Sequence, residues 1–226
     1  MLIRVRSKKA KQVFLKAQVY AKSQHVYDSG LETISNCVLA NMYFELGEFD
    51  RARKLLDLCF INIETRDSWF DIYANTYRTA IFLSFNDKNY NKSIKLIIAA
   101  ERVASERNIT KLKQLADIWK IKYLLLIGKE SEVISHIKHV QNLYIVNEDE
   151  KVENWFAIKE YHSVLCEYYL ANNLSQKCIF HANALFDISE RLGLEMELAR
   201  AQIYYSLIYF SQGNQRKCGK HTLIHQ

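Results

Sequence analysis

Leu39-Ala40-Asn41-Met42-Tyr43-Phe44-Glu45-Leu46-Gly47-Glu48-Phe49-Asp50-Arg51-Ala52-Arg53-Lys54-Leu55-Leu56 holds the reading on which the fold turns. Apolar residues on a helical period run into Leu-Gly, an aromatic residue follows, and Ala opens a second apolar stripe three positions later. Gly47 can take the left-handed backbone conformation that ends the first helix. Phe49 can plug the gap between two antiparallel helices, and Ala52 lets their axes approach. The stretch therefore reads as one corner of a helix–turn–helix repeat of the tetratricopeptide type.

Weaker copies follow. Asn86-Asp87-Lys88-Asn89-Tyr90 leads to Ser93, Gly128 stands five residues before Val133, Asn173 five before Cys178 and Gly213 five before Cys218. Corners are thus expected at 47, 88, 128, 173 and 213, a period of roughly 40 residues against about 34 for standard tetratricopeptide arrays. The periodicity predicts helices near 8–25, 30–46, 49–64, 69–85, 90–106, 110–126, 130–143, 151–171, 174–191 and 195–211, with one more near 215–223. The expected fold is all-α, a right-handed superhelical solenoid of tetratricopeptide-like helix pairs forming a single repeat domain over 1–226. Both ends read as incomplete pairs, so a fragment of a longer protein is expected.

Composition supports helices. The 226 residues include no proline and six glycines, whereas average usage would supply about eleven and sixteen. A sheet protein would draw on both for its turns. With 49% hydrophobic residues, wholesale disorder is excluded. The formal charge is +6. Arg4, Arg6, Lys8, Lys9, Lys11 and Lys16 account for it, because 17–226 balances. A basic folded body, the footprint of nucleic-acid binding, is missing, so no specific DNA recognition is expected. Five cysteines without a Cys-x-x-Cys pair read as reduced thiols of a cytoplasmic protein. No apolar run is long enough for a membrane span.

Further stretches carry a resemblance: Tyr77-Arg-Thr-Ala80, Ile97-Ile-Ala-Ala-Glu-Arg-Val-Ala104, Arg107-Asn108-Ile109, Ser189-Glu-Arg-Leu-Gly193, Ala199-Arg-Ala-Gln202 and Ser211-Gln-Gly213. With the first corner, over about 30–215, they resemble the repeat region of the MalT-like regulators, the ATP-dependent branch of LuxR-type transcription activators. The resemblance implies a sensor solenoid that receives a small inducer and takes part in self-association. It does not carry over the family's ATPase or promoter contacts. Gly128-Lys129 is followed by Glu130 and lacks the first glycine of a phosphate cradle, and no helix-turn-helix follows Gly213. A free-standing adaptor gripping a peptide or protein is the second reading.

Chemistry-bearing sets are sparse. His162 and Cys166 on one helix face Cys178 and His181 on the next, a combination zinc can accept. No pair has a standard short-loop spacing, so buried thiols beside histidines, with no metal and no other cofactor, are expected. His136/His139 and His221/His225 lack the glutamate and third ligand of a metalloprotease site. No serine sits in a nucleophile elbow, and no catalytic residue and no enzyme activity are expected. Trp69, Tyr73 and Tyr77 form a stripe expected to pack in the core, as does the Trp119/Tyr123 pair; the alternative reading is that some of these rings line the concave face and stack on a sugar or another small inducer. That leaves the opposite stripe, Asp71, Asn75 and Arg78, with Lys113, Asp117 and Lys120 two helices on, as the ligand-binding candidates of a concave face.

Overall fold

Six helices end where the chain reaches a residue that turns left-handed. In the computed structural model, which describes residues 2–23, 29–65, 68–143 and 154–212, positive φ occurs at Gly47, Lys88, Asn108, Gly128, Asn173 and Gly193. At every one of these corners the next N–H reaches back five residues to a carbonyl. Glu48 donates to Tyr43 (2.8 Å), Asn89 to Ser84 (2.8 Å) and Ile109 to Ala104 (2.8 Å). Lys129 donates to Leu124 (3.0 Å), Leu174 to Tyr169 (2.8 Å) and Leu194 to Ser189 (2.8 Å). This is the Schellman closure, which satisfies carbonyls that a helix end would otherwise leave bare. Glycine and asparagine tolerate the conformation, and Lys88 adopts it without that advantage.

Among the described residues the chain forms ten helices, six of whose junctions are these closures: α1 (Leu2–Ser23), α2 (Ser29–Glu45), α3 (Phe49–Thr65), α4 (Phe70–Asn86), α5 (Tyr90–Glu106), α6 (Thr110–Leu126), α7 (Glu130–Leu143), α8 (Trp155–Ala171), α9 (Ser175–Leu192) and α10 (Glu195–Ser211). There is no strand among the described residues. The all-α expectation holds, and the helix bounds match within a few residues except at α1, which begins at Leu2 rather than near 8. The expected corner at 213 and the helix near 215–223 lie outside the described residues. No described helix is long and apolar enough to cross a membrane.

Two compact units divide the chain, Met1–Tyr123 and Leu124–Gln226. In the first, α2 packs against α1, α3 and α4, and α4 also packs against α3 and α5. Its core gathers Leu39, Ala40, Tyr43, Ala52, Leu56, Ala80 and Leu83, with Phe44 and Phe49 packed against them at 5.9 Å between ring centroids. In the second, α9 packs against α8 and α10, and α10 touches α8.

The small residues five places after four of the left-handed positions, Ala52, Ser93, Val133 and Cys178, are completely buried. Added bulk at such fully buried positions has nowhere to go. Ala52→Phe should overpack the first corner and cost ~1–3 kcal/mol. The same replacement at exposed Lys54 should be nearly neutral. Urea unfolding of the two variants checks this, and equal losses would refute the register.

Candidate functional site

A concavity arises because α3 and α5 both rest on α4. Between them lies a groove of about 540 Å³. One wall is a single face of α3, from Arg53 through Asp57 and Phe60 to Glu64. The other is a face of α5 and its cap, from Lys92 through Leu96, Ala99 and Val103 to Arg107. Tyr77, Ala80 and Ser84 of α4 lie between them. All these positions recur every three or four residues, as lining along a helix must.

The groove is apolar at depth and charged at its rims. Leu56, Phe60, Ile63, Leu96 and Val103 contribute its apolar lining. The Phe60 and Tyr77 rings meet edge-on, 5.6 Å between centroids, a favoured aromatic geometry. Burial pushes the Tyr77 hydroxyl above its ordinary range, with Arg102 opposing and Glu64 adding to the shift. At one end Arg53 makes a forked contact with both oxygens of Asp87 (2.8 and 2.9 Å) and a third bond to Asp50 (2.8 Å). At the other, Arg107 donates to the Ile63 carbonyl (3.3 Å), its guanidinium 5.4 Å from the Tyr73 ring centre. These two arginines tie neighbouring helices together at the groove's ends.

None of the six ligand-binding candidates lines this groove. Asp71 is exposed in the first turn of α4, and its carbonyl accepts from Asn75 Nδ2 (2.8 Å). Arg78 is 1% exposed. Its guanidinium donates to Asn41 (2.8 Å) and Glu45 (3.1 Å) of α2 and lies 4.8 Å from the Phe82 ring centre. Lys113, Asp117 and Lys120 share one face of α6, Asp117 buried and Lys113 exposed. That face acts on Glu101 of α5, whose carboxyl is raised first by burial, with Asp117 adding and the two lysines opposing. The charges of the three α6 residues thus act on Glu101, and Arg78 is engaged in helix packing.

The aromatic stripe divides. Tyr73 and Tyr77 are buried as expected, whereas Trp69 is 70% exposed. Trp69 precedes the first turn of α4 in extended backbone, so it leaves the helical stripe that the spacing assumed. Trp119 is buried and Tyr123 half-buried.

In the second unit, α8 and α9 bring His162, Cys166, Cys178 and His181 together in two layers. His162 Nδ1 and His181 Nδ1 are 2.8 Å apart, and Tyr169 stacks on His181 with ring centroids 5.4 Å apart. Across the helix pair, each thiol points at the other cysteine's carbonyl, 3.5 and 3.7 Å away. The contact with Cys178 and then burial push the Cys166 thiol up, which keeps it protonated and a poor nucleophile. Among the described residues no group of three or more Cys, His, Asp or Glu is placed to hold a metal ion. His136 and His139 stack on α7, and His221 and His225 lie outside the described residues.

No family model, curated protein or solved structure matches the chain. The groove is therefore judged by its own chemistry. It offers apolar area, two aromatic rings and charges of both signs, with a size typical of ligand sites. The spacing-based candidates missed it because charged residues such as Arg53, Asp57, Lys92 and Arg102 on a helical period are indistinguishable from a solvated face until the neighbouring helices are placed. A visible signal was the apolar face of α3, where Phe60 continues the stripe of Leu56 and Ile63.

Proposed function

We propose that this chain is the sensing and interaction region of a MalT-like transcription regulator, a right-handed superhelical solenoid of helix pairs on a period of roughly 40 residues. It binds its guest in the groove walled by α3 and α5. The observation that carries this reading is the groove itself, an apolar trough with charged rims on a helical-repeat-like framework. Such a trough holds a guest having an apolar body and polar ends. In this reading the chain binds rather than catalyses, works in the cytoplasm, associates with further copies and does not itself recognise a promoter. The second reading, a free-standing adaptor for a peptide, uses the same groove, and the elongated shape of its two helical walls favours it.

The test is a thermal-shift screen of small molecules and peptides against the wild-type chain and Ala99→Trp. Ala99 is half-buried in the groove wall, so an indole there fills the trough. A guest at ~100 times its Kd stabilises the wild-type chain by about 2.7 kcal/mol. That shift should vanish in Ala99→Trp while its circular dichroism spectrum stays helical. Hits that stabilise both proteins equally would remove the groove as the binding site.

A further inference from the structure

The groove's two rims differ in sign. Along α3 the lining charges are Arg53, Asp57 and Glu64, and Arg53 is engaged by Asp50 and Asp87. Carboxylates outnumber cations on that wall. Along α5 and its cap the charges are Lys92, Arg102, Glu106 and Arg107; Arg102 lies 3.9 Å from Glu106 and Arg107 donates to the Ile63 carbonyl, and cations outnumber carboxylates there. The trough follows α3 from 53 to 64 and α5 from 92 to 107, roughly 16 and 22 Å at the helical rise. Ala80 and Ser84 between these walls and Ala99 in the α5 wall present short side chains, which leaves room for the side chains of a third helix.

We propose that the occupant of this groove is an amphipathic helix of a partner protein, about four turns long, with a basic flank on one side of its apolar stripe and an acidic flank on the other. This rests on the groove being the binding site. The apolar stripe lies along Leu56, Phe60, Leu96 and Val103. The guest's basic flank meets Asp57 and Glu64, and its acidic flank meets Lys92, Arg102 and Arg107. Helix-in-groove recognition uses anchors at three- and four-residue spacing, which matches the spacing of both walls. Opposite rims add a selection that an apolar trough alone lacks. A helix with like charges on both flanks meets one matching and one repelling wall whichever way it lies, whereas the two-signed helix satisfies both in one direction only.

Three fluorescent helical peptides of ~14 residues with one leucine stripe test this, with flanks two-signed, all acidic or all basic. Anisotropy titrations against the wild-type chain should show the two-signed peptide binding about tenfold or more tightly than either of the others. In Asp57→Lys/Glu64→Lys, where both replaced side chains are exposed, the preference should pass to the all-acidic peptide. All binding should be lost in Ala99→Trp. Equal affinity for the three peptides, or an unchanged order in the double variant, would overturn the charge-sided helix. So would failure of every peptide to bind. If the peptides fail while small-molecule hits still lose their stabilisation in Ala99→Trp, the groove stands as a site and the helical guest is refuted. If Ala99→Trp changes neither, the groove reading falls as well.

Discussion

Replacing Lys159 with Ala lowers the unfolding free energy by about 3–5 kcal/mol, among the largest losses expected from a single substitution in this protein. Lys159 is buried on α8, with its ammonium 3.0 Å from Glu197 of α10 and 3.4 Å from Glu160. It also lies 4.6 Å from the Phe156 ring centre. Both carboxylates are themselves buried. Removing the lysine leaves two carboxylates in a low-dielectric interior without that counter-charge. Arg200, 2.9 Å from Glu197, relieves one of them in part. The loss comes from stranding charge more than from the worth of the pair. Lys159→Met/Glu197→Leu, which removes both charges and keeps apolar bulk, should therefore cost much less. Urea unfolding of the two variants compares them directly, and equal losses would mean that packing dominates.

Acid should destabilise the second unit over a defined window. Burial holds the His181 imidazole down at about 4, against 6.5 for an ordinary histidine. The folded protein disfavours the charged ring, which is packed against Tyr169, Tyr161 and Phe180 and bonded to His162. The stability contributed by keeping this ring neutral is fully present above the unfolded value. As pH falls below 6.5, the unfolded chain takes up a proton that the folded chain refuses, so stability declines until the folded group titrates near 4. The loss is on the order of 3 kcal/mol. His181→Phe should flatten that portion of the pH profile in chemical unfolding while the remaining acid dependence persists. A profile unchanged by the substitution would assign the acid sensitivity to other groups.

Local order was legible in the sequence wherever a single turn of chain decides the structure. Gly47, Gly128 and Asn173 announce left-handed helix ends, and the small residues five places on announce close helix approach. Even Lys88 was found, through Ser93 rather than through its own propensity. What the sequence did not disclose depends on partners far along the chain. Arg78 shares a stripe with Asp71 and Asn75 on α4, yet Asn41 and Glu45, 37 and 33 residues earlier, draw its guanidinium into a helix contact. Periodicity within α4 has no access to that. The groove was hidden for the same reason. Its walls lie on two helices about 40 residues apart, and its charged rims look like solvated faces until α4 brings them together. The histidine and cysteine pairs were visible as a set, but their separation into layers follows from how α8 and α9 mesh.

The most direct test of the groove as the binding site is a methyl NMR titration of the wild-type chain with any guest that raises its melting temperature. Binding in the groove predicts that Leu56, Ile63, Leu96 and Val103, which line it, shift together and saturate on one isotherm. Ile203 and Leu207, exposed on α10, should stay in place. Saturable shifts at α10 or at Ile72 and Thr79, the methyl-bearing neighbours of Asp71 and Arg78 on α4, with the four groove residues unmoved, would contradict it.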